Sequence, residues 1–340
     1  MKAILLAGGE GTRLKAVTGE LPKPLVPLLG RPLMEHGLRL LREQGFTDVC
    51  AAVRYRAQEI MRCFGDGSAL GLRLRYREEK DFWGTAGAVR RCEDFIGGED
   101  VLILSGDAAC DLDLAALMRE HRERGAAATV ALCRQGDPLR FGLAVTDPAG
   151  WIRAFVEKPD WSHVVTDQVS TGIYVLSPRA LAAIPTDRPS DFARDLFPDL
   201  LARGEKLLGV TLEGYWRDVG TPLSYYRCCV DALEGRLRLQ PGEGFEPATQ
   251  EPGEEPEGEG YTLDCPCTSR AAVMGGLSEG LLELGADFSD GLRLEGPGYR
   301  LHIAPLASRA GVRVSVSSAD TEFARSLALS ARELIRALEA

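Results

Sequence analysis

No stretch of the 340 residues is apolar for long enough to span a bilayer, and Met1-Lys-Ala-Ile-Leu5 runs into a strand pattern without the small-residue cleavage site of a secretory leader. Membrane insertion and export are therefore not expected, and a cytoplasmic location follows as the default. Positive charge is scarce too. With 40 Lys and Arg against 50 Asp and Glu, the net charge of −10 has the wrong sign for gripping a nucleic-acid backbone. Histidine is thin: His36, His121, His163 and His302 stand apart, so the close pairs Cys228-Cys229 and Cys265-Pro-Cys267 lack further ligands at zinc-site spacing. The nine cysteines, an odd number in a chain large enough to bury its own core, read as reduced thiols rather than staples. Two phosphate-loop spacings are missing as well. There is no Gly-x-Gly-x-x-Gly, which sets aside a dinucleotide-dependent oxidoreductase, and no Gly-Lys-Ser/Thr.

What the chain does have is a different glycine loop. Lys2-Ala-Ile-Leu-Leu6 reads as a buried strand and runs straight into Leu6-Ala-Gly-Gly-Glu-Gly-Thr-Arg-Leu14, with Pro22-Lys-Pro24 soon after. Gly8, Gly9 and Gly11 let backbone N–H groups approach phosphate oxygens, and Arg13 and Lys23 can bring two positive charges to the same place. A phosphate-bearing ligand held by Leu6, Ala7, Gly8, Gly9, Gly11, Thr12, Arg13 and Lys23 is the expectation.

Residues 1–235 alternate short Val, Ile and Leu runs with longer segments of helical period, the grammar of βαβ units and a mostly parallel, Rossmann-like α/β sheet. Helices are expected over 33–44, 57–64, 86–95 and 114–124, and strands over 48–53, 72–77, 101–104 and 128–132. The later strands, over 142–146, 152–157, 172–176 and 207–212, have shorter connections and suggest a β-rich half lying over the first. Ligands of parallel sheets sit at the carboxyl ends of the strands, so the first loop and Asp107 should face one crevice. Residues 236–261 are dominated by Pro, Gly and Glu and read as a flexible, self-repelling linker. Residues 262–340 read as a small α+β domain closed by an amphipathic helix over 322–338.

Further motifs join the loop. Gly84-Thr-Ala-Gly-Ala88 opens a helix and can hold a base edge or a phosphate through Gly84 and Thr85, or can simply start that helix. Ser105-Gly-Asp107 and Trp216-Arg-Asp-Val-Gly-Thr-Pro222 supply two carboxylates, Asp107 and Asp218, of the kind that hold a Mg²⁺ whose other ligands are phosphate and water. These segments, in this order, resemble the sugar-1-phosphate nucleotidyltransferases, a GT-A-like fold. The resemblance implies that Asp107 and Asp218 carry Mg²⁺, that Arg13, Lys23 and Asp107 are catalytic, and that Glu157-Lys-Pro159 holds the sugar phosphate, with Lys158 on the phosphate and Glu157 on a hydroxyl. Gly142 in Arg-Phe-Gly-Leu-Ala, and Thr171 and Gly172 in Ser170-Thr-Gly-Ile-Tyr174, match the sugar-facing segments. It implies a nucleoside triphosphate and a sugar 1-phosphate as partners, joined to a nucleotide sugar with release of pyrophosphate.

Ser190 to Leu201 and Gly214 to Pro222 look more like the mannose-1-phosphate guanylyltransferases, which favours GTP and mannose 1-phosphate. Glucose-1-phosphate thymidylyl- or uridylyltransfer and heptose-1-phosphate guanylyltransfer stay open, as does a non-catalytic nucleotide-sugar sensor or regulatory subunit. Against the sensor, Arg13, Lys23, Asp107, Lys158 and Asp218 are all intact. The tail resembles the last domain of the α-D-phosphohexomutases, but Ala304, Leu306, Ala307 and Ser308 replace the Arg, Ser, Gly and Thr of its phosphate loop. The resemblance therefore implies no mutase activity, and the tail is assigned to packing, homo-oligomer contacts or regulation.

Overall fold

The computed structural model describes residues 1–14, 21–135, 141–157, 165–242, 261–265, 277, 292–296, 298–305 and 312–339. Lys158, the stretch 243–260 and most of the tail loops, including residues 306–308, lie outside them. The chain divides into two compact units, residues 1–12 with 21–243 and residues 13–20 with 244–340.

In the first unit the strands are, in chain order, Lys2–Ala7 (β1), Pro27–Leu28 (β2), Arg31–Pro32 (β3), Asp48–Val53 (β4), Arg73–Glu78 (β5) and Val101–Ser105 (β6). They continue with Ala108–Cys110 (β7), Ala128–Arg134 (β8), Gly142–Thr146 (β9), Ile152–Glu157 (β10), Gln168–Leu176 (β11), Leu207–Thr211 (β12) and Trp216–Asp218 (β13). Nine of them form one sheet, in which β10-β9-β11-β6-β1-β4-β5 follow one another and β8 joins β11 to β12. The β6-β1-β4-β5 stretch is parallel, and the near-continuous apolar runs of β1, β4 and β6 are what a strand covered on both faces needs, while Arg73–Glu78 at the edge alternates. Ala3, Ile4 and Leu5 of β1 and Val101, Leu102 and Ile103 of β6 are all fully buried.

The strands expected to form a second half over the first instead extend the same sheet. β11 runs antiparallel to β6, β8 and β9 and so carries β8, β9, β10 and β12 as its continuation. Strand periodicity reports burial, not partners, so the pairing could not be read from it. Helices cover the sheet with the faces their spacing predicts. In Leu33–Glu43 the residues Leu33, Met34, Leu38 and Leu41 are buried, while Glu35 on another side of the helix takes Arg31 at 2.6 Å and Arg39 at 2.8 Å.

The end of the first unit folds back on its beginning. Arg31 Nε donates to the carbonyls of Gln240 and Pro241, and Gly242 N–H donates to Leu29 O at 2.8 Å. Residues 236–242 of the expected linker thus continue the first unit.

The second unit has Tyr261–Cys265 (β14), Leu292–Gly296 (β15), Tyr299–Pro305 (β16) and Val312–Ser318 (β17), an antiparallel sheet ordered β14-β17-β16-β15. Leu292, Leu294, Leu301, Ile303, Val312, Val314 and Val316 alternate inward. The helix Thr321–Glu339 packs on β14 and β17 and buries Ala324, Ala328, Ala331 and Ile335, one face at helical spacing.

Candidate active site

β1, β4 and β6 end side by side at Ala7, Val53 and Ser105, and the Gly8–Gly11 loop leaves the sheet there. Gly106 N–H donates to Leu6 O at 2.8 Å, so the turn after β6 is seated on the end of β1. Beyond that turn the chain makes β7, which pairs antiparallel with β13 so that Asp218 lies opposite Ala108. Val219 N–H donates to Asp107 O at 3.3 Å. A three-residue ribbon therefore brings together two aspartates more than a hundred positions apart in the chain.

Lys23 joins them. Its Nζ donates to Asp107 Oδ2 at 2.8 Å and to Asp218 Oδ1 at 3.2 Å. The residue is only 5% exposed, so its charge is desolvated and depends on these two carboxylates. Pro22 and Pro24 flank it; Pro22 is extended and Pro24 sits in the first turn of the 3-10 segment Lys23–Leu25, which fixes where the side chain starts. Partial burial of Asp107 pushes its carboxyl up, but the adjacent Lys23 ammonium and the Ser105 hydroxyl outweigh this and hold it below the usual carboxylate range. Gly11 closes the group. Its φ of +66° suits glycine, and a Cβ there would lie 3.0 Å from Lys23 Cβ.

The loop, Lys23, Asp107 and Asp218 thus meet in the first unit. Arg13 lies in the short turn Thr12–Leu14 and belongs to the second unit, as residues 13–20 do.

Two carboxylates thus meet one cationic nitrogen beside a glycine loop at the ends of the parallel strands. Residues 2–235 match the family described as Nucleotidyl transferase. The chain belongs to the nucleotidyl transferase family. A mannose-1-phosphate guanylyltransferase of Mycobacterium tuberculosis is 36% identical over 234 residues, 68% of this chain and 65% of that protein. A UTP–glucose-1-phosphate uridylyltransferase of Synechocystis is 34% identical over 251 residues, 70% of this chain and 65% of that protein. The chain thus spans 65% of the length of both curated relatives. Among solved structures, a Bacillus anthracis candidate glucose-1-phosphate thymidylyltransferase with bound sucrose superposes with a TM-score of 0.63 at 28% identity, over 68% of this chain and 95% of that one. HddC of Yersinia pseudotuberculosis, complexed with GMP-PN, superposes with a TM-score of 0.59 at 25% identity, over 68% of this chain and 99% of that one.

Other motif residues of this family member take more varied positions. Gly142 faces Glu157 across the β9–β10 pair, and a Cβ on it would lie 2.6 Å from the Phe155 ring and 2.9 Å from Glu157 Oε2. Thr171 and Gly172 form a bulge in β11, where the register against β8 shifts between Ser170 and Tyr174. Thr171 Oγ1 is turned inward to Ala131 O at 2.8 Å, while Gly172, at φ +76°, lies against Ser105 next to Asp107.

At Gly84 the helix Gly84–Arg90 begins, and the N–H groups of Ala86 and Gly87 both donate to Ser190 O at 3.0 Å. The Thr85 hydroxyl donates to Asp191 Oδ2 at 2.8 Å. That helix start is braced by the 190–192 segment.

Two groups the motifs do not name also stand out. Asp231, 7% exposed, receives Tyr215, Arg217 and Arg236 behind the ribbon. Glu79 follows β5, its Oε1 shielded from solvent. Neither belongs to a recognisable spacing; only their burial distinguishes them.

Proposed function

We propose that the chain is a sugar-1-phosphate nucleotidyltransferase, with GTP and mannose 1-phosphate the favoured pair. The observation that carries this reading is the bridge from Lys23 to both Asp107 and Asp218 beside the Gly8–Gly11 loop. Supporting GTP are the 36% identity to a mannose-1-phosphate guanylyltransferase and the fold likeness to a structure complexed with GMP-PN. The 34% identity to a uridylyltransferase keeps UTP in the test.

Asp107 and Asp218 fit a Mg²⁺. They offer hard carboxylate oxygens converging on a position that a cationic nitrogen fills, and no group of three or more metal-binding side chains forms among the described residues. Two carboxylates suit an ion that takes its remaining ligands from phosphates and water. When bound, the ion would supply charge neutralisation to the triphosphate.

The chain's own groups do the rest. The loop N–H groups and Gly11 seat the phosphates, and Lys23 offsets their charge. Lys158 and Glu157 hold the sugar phosphate, one on its anion and the other on a hydroxyl. A sugar-phosphate oxygen then forms a bond to the α-phosphorus in line with the bond to the β-phosphate bridging oxygen, which breaks and leaves with pyrophosphate. The nucleophile is already an anion, so no base has to take a proton, and catalysis reduces to positioning and electrostatics.

The test is a panel of GTP, UTP, dTTP and ATP crossed with mannose, glucose and heptose 1-phosphates, read by pyrophosphate release with Mg²⁺ present. Turnover on at least one pair, lowered by orders of magnitude in Lys23→Ala, is expected. Purified, folded protein inactive across the whole panel would leave the sensor reading in its place.

A further inference from the structure

In the second unit the sheet buries one face: Leu292, Leu294, Leu301, Ile303, Val314 and Val316 turn inward, and the helix Thr321–Glu339 packs on β14 and β17. Strand period sends the residues between them to the opposite face. There a concavity of about 340 Å³ lies across the strands, a size within the range of small-molecule sites. The side chains that alternation brings to it are polar.

The strand registers set these side chains in two rows. In the first, Thr262 of β14 faces Ser315 of β17, Ser315 faces His302 of β16, and His302 faces Arg293 of β15. In the second, Ser317 faces Arg300, and Arg300 faces Glu295. Hydroxyls therefore gather over β14 and β17, where Thr262 Oγ1 lies 3.5 Å from Ser315 Oγ, and ionisable groups gather over β15 and β16. The outer strands are three spacings apart, about 14 Å. At the charged end Arg300 Nε lies 3.2 Å from Glu295 Oε1. Two guanidinium groups thus stand against one carboxylate among the lining residues, beside the His302 ring, in a chain whose net charge is −10. A locally cationic end in an acidic chain attracts anions.

We propose that this face is a binding site for a phosphate monoester on a polyhydroxylated body, the chemistry of a sugar phosphate. Guanidinium forks present paired N–H donors to phosphate oxygens, and serine and threonine hydroxyls both donate and accept, as sugar hydroxyls require. The two ends of the concavity match the two ends of such a ligand. Glu295 holds the Arg300 fork and opposes the incoming anion, which tempers its affinity. The residues belong to the strands and not to the 304–308 loop, so the substitutions in that loop do not bear on the site. It stands whether or not the first unit turns over a substrate.

The experiment measures binding to the full chain by calorimetry with glucose 6-phosphate, glucose, inorganic phosphate and glucuronate, and locates it by hydrogen exchange read by mass spectrometry. A 6-phosphate is chosen because the reading of the first unit calls for 1-phosphates. Glucose 6-phosphate should bind and protect peptides from 292–305 and 312–318. Inorganic phosphate and glucuronate should bind more weakly, and glucose not at all. Arg293→Ala with Arg300→Ala should lose at least about tenfold, as expected for charge-assisted hydrogen bonds. Ser315→Ala with Ser317→Ala should bring glucose 6-phosphate down to the affinity of inorganic phosphate. Glu295→Gln should tighten both, a gain that a damaged fold does not imitate. No binding, protection confined to the first unit, or an affinity unchanged in the double arginine variant overturns the site. Glucuronate or inorganic phosphate bound as tightly as glucose 6-phosphate overturns the ligand class.

Discussion

The Tyr215 hydroxyl donates to Asp231 Oδ2 at 2.5 Å, tying the strand that carries Asp218 to the helix Pro222–Leu233 that follows it. Arg217 reaches the same carboxylate at 3.1 Å and Arg236 at 2.6 Å, so one buried anion holds three donors. Burial pushes Asp231 up, but the Tyr215 hydroxyl and the two guanidinium groups hold it below the usual carboxylate range. Asp231→Asn removes the charge and strands Arg217. A loss of about 3 kcal/mol in unfolding free energy is expected, against about 1 kcal/mol for Tyr215→Phe. All four tryptophans lie between positions 83 and 216, so denaturant unfolding followed by their fluorescence reports on this unit.

Lys23 is the internal cation of the two-aspartate site, and its replacement should have opposite effects on turnover and on metal binding. In Lys23→Met the two carboxylates lose their counter-ion, and an added divalent cation no longer competes with an ammonium for them. Turnover should fall at least about 100-fold as a charge-stabilising group is lost. Mn²⁺ binding without nucleotide, followed by electron paramagnetic resonance, should tighten. A variant that binds Mn²⁺ as the wild type does would remove Lys23 from this position.

The site was legible in parts. β1 is an uninterrupted apolar run entering a glycine loop, and both its burial and its place at a strand end follow from that pattern. The convergence of Asp107 and Asp218 does not, because β7 and β13 are three residues each, too short for any period to show. Their meeting was reachable only through the motif resemblance. The extension of the sheet beyond β6 was missed because an antiparallel strand buried in the middle of a mixed sheet carries the same apolar signature as one in a separate layer. Asp231 belongs to no motif, and its burial is a tertiary fact.

Gly84 offers a test of the brace at the helix start. Its φ is +73°, and a Cβ there would collide with the backbone of Ser190, whose carbonyl accepts from Ala86 and Gly87. Gly84→Ala must either shift Ser190 or rotate the helix start. Strain of this kind costs about 1–3 kcal/mol. A lower thermal midpoint is expected. Gly9→Ala is the control, since nothing lies within 4 Å of a Cβ there.

Acid should weaken the first unit through its buried histidines before any carboxylate of ordinary strength titrates. His36 is 5% exposed with Nε2 donating to Leu28 O at 2.8 Å, and His121 is 2% exposed with Nδ1 2.7 Å from Thr129 Oγ1. Burial lowers both imidazoles below the ordinary histidine value; the Leu28 carbonyl at His36 and the Asp100 carboxylate at His121 oppose this without reversing it. Above about pH 6.5 the two rings are neutral in folded and unfolded chains alike, and they add no pH dependence. As pH falls below that value the unfolded chain takes up protons that the folded chain refuses, so stability declines until the folded values are reached. Unfolding free energy should therefore drop as pH falls below about 6.5. His36→Gln, which keeps a donor for Leu28, should flatten that slope, and His36→Gln with His121→Gln should flatten it further. Denaturant titrations at several pH values, read by tryptophan fluorescence, measure it; a double variant as steep as the wild type would assign the acid sensitivity to carboxylates instead.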